Sequence, residues 1–318
     1  MAHEIDMSNG RANVVLARTP AWHGLGRVMP DSITTDEAYV QAGLDWSVSL
    51  RPVYRHDNNE KLTPVGNRKV VVRNDTDKVL GIVGNQYRPV QNNSLKEFVD
   101  LVIGLGARIE SGGSLHGGKK IWFLCSLKES FDVVPGDQVL PYALFMNGHD
   151  GKTRMRVVPT SVRVVCQNTL TLATDRETAG MTLRHDGSIS SKIEQAKQAL
   201  GLVYTRTQRL EEEAKALVRR QLRTQEMAEF FVRQIKSLGA STEKEAKVMN
   251  ELMLILASNT CDASNIRGTA WSAYNAWSEW VDHSPKKVSQ DVRLESVWIG
   301  KGHRQKASAW QQALALTS

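Results

Sequence analysis

Apolar and polar positions follow two rhythms along this chain. Up to residue 187 the apolar stretches are short, often alternating, and bounded by turn chemistry; from Ser188 onward they recur every three or four residues. In the first half, Thr34–Gly43 predicts a short helix opened by a Thr cap and closed by Gly. Trp46–Tyr54 alternates as a strand does. Lys69–Arg73 and Val79–Val83 are apolar strands joined by Asn74–Lys78, whose NDTDK sequence is hairpin chemistry. Ser94 is placed to cap a helix with Leu95, Phe98, Val99, Val102 and Ile103 on one face, ended by Gly104 and Gly106. A second hairpin follows, with Arg108–Glu110 and Lys120–Leu127 flanking a loop over Ser111–Gly118. A third joins Gln138–Met146 to Arg154–Val165 through Asn147–Gly151. Strands, one helix, then more strands predict an α+β fold, an antiparallel sheet and hairpin core with helices on one face.

The second half predicts only helices. Ile193, Ala196, Leu200, Val203, Thr207, Leu210, Ala214 and Leu217 form a heptad seam, read as packing within the chain ahead of a dimeric coil. Thr224 caps a continuation with Met227, Phe230, Phe231, Ile235 and Leu238, ended by Gly239. Thr242 and Glu245 suit a capping box for a helix facing inward with Val248, Leu252, Ile255 and Leu256. Ile266–Val281 carries Trp271, Tyr274 and Trp277 as core aromatics, and a last helix covers Gln305–Leu316. The pattern divides the chain into a sheet domain, 1–187, and a helical domain, 188–318.

Composition narrows the classes without choosing among them. The 318 residues are 41% hydrophobic and 24% charged, with a formal charge of +7 and a pI near 9.3. That balance permits a polyanionic partner. Cys125, Cys166 and Cys261 are far apart, with no metal-ligand spacing, so a reducing cytoplasm fits best. The N-terminal MAHEIDMSNGRANVV has no signal-peptide pattern, and the longest apolar run, Leu252–Ala257, is too short to span a bilayer. The expectation is a soluble protein without a membrane partner.

Candidate chemistry concentrates in Lys152–Asp175. Lys152, Arg154, Arg156 and Arg163, with Arg176 just beyond, stand against a single carboxylate, Asp175. Arg154 and Arg156 alternate with Met155 and Val157, so both guanidinium groups should leave one face of a strand, an arrangement suited to phosphates. Arg73, Arg88, Lys119 and Lys120 extend the basic set. Tyr87 is the candidate base-stacking ring, and the pairing of aromatics with cations is what single-strand binding uses. Of Trp122 and Phe123, which point to opposite faces, at least one belongs to the core. Catalytic signatures are missing: there is no P-loop, and in Gly112–His116 the last glycine of a nucleophile elbow is histidine. The SGGSLHGG segment reads as a hairpin tip. His149–Asp150 and His185–Asp186 read as turn residues, so no metal, cofactor or catalytic residue is expected.

Four segments carry a resemblance: AWHGLG (Ala21–Gly26), LGIVGNQYRPVQN (Leu80–Asn92), NGHDGKTRMRVVPTSVRVVCQNTL (Asn147–Leu170) and GTAWSAYNAWSEWVDH (Gly268–His283). Over nearly its full length the chain resembles the phage/plasmid-like family of mobile elements, a domain of unknown function. More remotely, the order of elements looks like that of the recombination-mediator single-strand annealing proteins. That likeness implies rings or filaments that hold single-stranded DNA by its backbone without nucleotide or metal. The expectation is a non-enzymatic, cytoplasmic, homo-oligomeric single-stranded DNA-binding and annealing protein, with a partner nuclease possible. The alternative is a protein-interaction factor of a mobile element acting in host takeover or anti-defence.

Overall fold

The computed structural model describes residues 14–17, 27–29, 33–127, 130–163, 168–170, 180–183, 189–239, 241–258, 265–283 and 290–317. Trp22, the AWHGLG segment, Cys166, Arg176, His185–Asp186 and Cys261 lie outside them, as do the side chains of Arg163 and of the two strands before residue 30.

The fold is α+β, with antiparallel sheets followed by helices alone from residue 189. Twelve strands and eight helices occur among the described residues. The large sheet runs β11 (Asn168–Leu170), β10 (Arg156–Arg163), β9 (Gln138–Gly148), β7 (Lys120–Ser126), β6 (Arg108–Leu115), β1 (Val14–Ala17) and β2 (Arg27–Met29), with β1 and β2 parallel. Two short strands, β8 (Phe131–Asp132) and β12 (Met181–Thr182), pair with β9 and β10. A small second sheet is the meander β3 (Val48–His56), β4 (Leu62–Arg73) and β5 (Lys78–Gly84).

The NDTDK hairpin is present, but β4 is far longer than its apolar run predicted. Its exposed first half pairs with the end of β3, as in Tyr54 with Pro64 and His56 with Leu62, and both strands are largely exposed there. Backbone pairing defines this arm, and its apolar side chains, Tyr54 and Leu62 among them, stand exposed and bury no face.

The second hairpin corrects the loop over Ser111–Gly118. Ser111–Leu115 continues β6 and is buried, leaving a tip of His116–Lys119. Gly112 stands opposite Phe123, and a Cβ there would come within 2.6 Å of that ring. Its glycine therefore admits a neighbouring aromatic and does not loosen a loop.

Helix starts lie between zero and three residues before the predicted caps. α1 (Thr35–Gln41) has the expected Thr34 cap, closed into a box by Glu37. α2 (Asn92–Gly104) begins before Ser94, with Gln91 as cap. Gln91 exchanges two hydrogen bonds with the Val48 backbone, and Asn92 donates to the carbonyls of Leu44 and Trp46. Tertiary partners fix that end in place of a hydroxyl cap. α4 (Thr224–Lys236) and α5 (Thr242–Leu256) are capped by Arg223 and Ser241, so both threonines are first helical residues.

α2 and the first half of α3 (Ile189–Arg219) cover one face of the large sheet. Phe98, Val102, Phe123, Phe145, Val157, Ala196 and Val203 meet there. The second half of α3 contributes Leu210, Ala214 and Leu217 to another core, with Phe230 and Phe231 of α4 and the aromatics of α6 (Ala270–His283). The heptad seam is thus internal packing. Division of the chain at residue 188 falls at the head of a helix that both cores share.

The helix α6 is buried on all sides. Trp271, Tyr274 and Trp277 are fully enclosed, and so are Ser272, Asn275 and Ser278. Ser272 and Asn275 satisfy part of their polar capacity inside the helix, on the carbonyls of Thr269 and Trp271. Trp310 of α8 (Lys301–Leu314) packs edge-on against Tyr274 at 4.7 Å.

Helices on one face only is a second correction. α7 (Gln290–Trp298), which has no clear apolar period, turns into α8 so that Trp298 and Ile299 cover Leu115, Trp122, Met146 and Val158. Both Trp122 and Phe123 are consequently core residues, one for each face. Among the described residues no helix is long and apolar enough to cross a membrane.

Candidate nucleic-acid interface

One end of the large sheet gathers most of the predicted basic residues. Three connections meet there: the β6–β7 tip His116–Lys119, the β9–β10 loop from His149 to Arg154, and the β4–β5 turn. His149 N–H donates to the Lys119 carbonyl at 2.8 Å, which ties the loop to the tip. Gly118 lies beside Trp46 and the Arg73 guanidinium, and Gly117 lies against the Lys78 ammonium group. The Asp150 backbone rests on Gly81, where a Cβ would come within 2.7 Å. Such contact requires a residue without a side chain and sets the small sheet firmly against the loop.

Burial sorts the candidates. Lys119, Lys152, Arg154 and Arg88 are exposed, and so is Lys78, which sequence reasoning missed. Its signal was available, because it ends the NDTDK turn and turns run over the surface unless a partner covers them.

Arg73 does not belong with them. It is 1% exposed, donates twice to Asp75 at 2.7 and 2.9 Å, and lies 4.3 Å over the Trp46 ring. A guanidinium enclosed by a carboxylate and an indole has no open side for a phosphate. Lys120 is also engaged: its Nζ sits 2.5 Å from Glu295 Oε1 of α7, while Oε2 of the same carboxylate accepts from His116 Nε2 at 2.7 Å. Burial raises the Glu295 pKa, but hydrogen bonds from Lys120 and His116 outweigh it and hold the carboxyl below its ordinary value.

The alternation around Arg154 holds, since Met155 and Val157 are buried in the core. Their neighbours nevertheless differ in environment. Arg154 reaches solvent, whereas Arg156 is half-buried beside His303 of α8, and burial lowers its pKa. Sequence could not show this, because the covering helix lies some 150 residues away in the chain. Arg163 is in β10 at the opposite end of the strand.

Tyr87 is half-buried against the core, not exposed as the turn sequence suggested. Burial raises its pKa, and the nearby Asp150 charge raises it further.

The two members of His149–Asp150 also separate. Asp150 is a turn residue, accepting from the backbone N–H groups of Lys152 and Thr153 at 2.8 Å each. His149 is a core residue, 0% exposed, with its ring 5.2 Å from that of Trp46. Asn92 donates its amide N–H groups to two carbonyls, so its oxygen must accept from His149 Nε2 at 2.7 Å. Burial pushes the His149 pKa down to about 4, against a smaller raising effect of Asp150, and the imidazole stays neutral. Among the described residues no three His, Cys, Asp or Glu side chains come together to hold a metal ion.

No curated protein and no solved structure matches the chain. One family model does, that of a domain of unknown function (DUF932), over residues 79–298. The matched span opens in β5 and closes on Trp298, so it takes in the β6–β7 tip, the β9–β10 loop, α6 and Glu295. With well over half of its length inside that match, the chain belongs to the DUF932 family.

Proposed function

We propose that the chain is a non-enzymatic single-stranded DNA-binding and strand-annealing protein of a phage or plasmid, acting in the cytoplasm as a homo-oligomer. The supporting observation is the imbalance of available charge at the loop end of the sheet. Lys78, Arg88, Lys119, Lys152 and Arg154 reach solvent. The neighbouring carboxylates are engaged already: Asp75 with Arg73, Asp77 with Arg51, and Asp150 with backbone N–H groups. Surplus cations on loops suit a flexible phosphate chain, which can shift to meet each of them. Annealing further requires that the bases stay open for pairing, and backbone contacts leave them so. With Tyr87 half-buried, stacking contributes less than phosphate contact.

The test is the pairing rate of two complementary labelled oligonucleotides at low and high salt, without nucleotide or metal. Acceleration is expected at low salt, lost as salt rises. In direct binding, the Lys119→Ala/Lys152→Ala/Arg154→Ala variant should have a log–log salt slope shallower by about 2, and affinity lower by roughly tenfold or more. A flat salt response in the unaltered protein rejects the reading.

One set of observations favours a second reading, a protein-interaction factor. Met253 and Leu254 of α5 are 49% and 75% exposed, and Val79 and Ile82 of the small sheet are 51% and 63% exposed. Absence of any affinity for single strands would move the function to those surfaces.

A further inference from the structure

Glu295 of α7 bridges the β6–β7 tip to the helical region, and both of its oxygens are committed there. The tip it grips has an unusual backbone. His116, Gly117 and Gly118 all adopt positive φ, at 55°, 68° and 99°, in consecutive positions. The turn is closed by its own backbone, with Gly118 N–H donating to the Leu115 carbonyl at 3.2 Å, so what it offers a ligand is side chains. Around it stand the exposed Lys119 and Lys78. The carboxylate must accept from both partners, so His116 Nε2 and Lys120 Nζ are donors converging on one oxyanion. The contact is accessible: the side chains of His116, Lys120 and Glu295 are 24%, 13% and 29% exposed. One helical turn beyond Glu295, Trp298 packs edge-on against Trp122 at 4.7 Å and holds α7 to the sheet independently of the ion pair.

We propose that His116 and Lys120 form a seat for a backbone phosphate of single-stranded DNA, and that Glu295 occupies this seat as a competitor carried by the protein itself. The inference rests on the single-strand reading above. An incoming strand exchanges one oxyanion for another at the same two donors and displaces only a side chain, because Trp298 keeps the helix in place. Glu295 thereby sets a threshold: short or weakly charged ligands leave it seated, and a long strand engaged by Lys119, Lys152 and Arg154 dislodges it. A purely structural ion pair makes the opposite prediction, since breaking it would loosen the tip and weaken binding.

The experiment compares the unaltered protein, Glu295→Gln and Lys120→Gln/Glu295→Gln for binding to a thirty-residue oligothymidylate at low salt, with circular dichroism as a check on folding. Glu295→Gln should bind about five- to tenfold more tightly, and the double variant should lose that gain. Equal or weaker binding by folded Glu295→Gln, with the unaltered protein still binding, overturns the seat and leaves the single-strand reading standing. If no variant binds, both are overturned.

Discussion

Replacing Asp282 by alanine should lower the unfolding free energy by about 3–5 kcal/mol, the cost of leaving a buried ammonium group without its carboxylate. Lys306 Nζ lies 2.7 Å from Asp282 Oδ1, and the two side chains are 0% and 4% exposed. Burial lowers the Lys306 pKa and Asp282 works against that, so removing the carboxylate leaves desolvation unopposed. The backbone carbonyl of Asp282 also accepts from Arg293, so this one position of α6 holds both α7 and α8. Urea unfolding of Asp282→Ala should show the midpoint shift. The Asp282→Asn/Lys306→Met pair should recover most of the loss, because it removes the stranded charge as well as its partner. For contrast, Arg51 and Asp77 are 48% and 73% exposed, and Asp77→Asn should change stability by less than about 1 kcal/mol. Equal effects of the two substitutions would contradict the buried-pair argument.

Acid should destabilise the protein well above the range in which carboxylates ordinarily protonate. His149 has its pKa pushed down to about 4 by burial, as does His303, where the charges of Lys306, Arg156 and Arg304 add to the effect. Both are neutral in the fold and protonate near 6.5 once unfolded. Between those values the unfolded chain binds more protons than the folded one, so stability falls as pH drops from about 6.5 towards 4. A shift of that size corresponds to roughly 3 kcal/mol for the buried His149, and to less for His303, which is only partly buried. At lower pH, Asp150 and Glu295, whose folded pKa values are depressed, add losses of the same sign. Urea titrations at pH 7.5 and 5.0 measure the drop. His149→Gln keeps a side-chain amide for Asn92 and removes the ionisation, so it should flatten part of the pH dependence. An unchanged pH profile in that variant would show that His149 does not supply it.

Local signals carried much of this fold. The Thr34 cap, the NDTDK turn, the strand alternation at Met155 and Val157 and the seam of α3 depend on neighbours in sequence, and each has its counterpart in the structure. What stayed hidden depends on distant partners. The arm of β3 and β4 is joined by backbone hydrogen bonds that no side-chain pattern encodes. Arg154 and Arg156 look alike in sequence, and only the return of α8 from the end of the chain separates a solvent-facing cation from a half-buried one. Arg73 and His149 fail as surface residues for the same reason, since Trp46 and Asn92 enclose them from far upstream. Polar residues at turns read as exposed by default, and tertiary packing can bury them there once a partner is supplied.

The helix α3 runs unbroken through both cores, with 31 residues corresponding to a rod of about 46 Å at the standard rise per residue. A rod gripped along its whole length cannot let go of one half while the other stays intact. Stretched between its two ends in a single-molecule pulling experiment, the protein should therefore give one rupture in place of two, with α3 acting as the spindle on which sheet and helices come apart together.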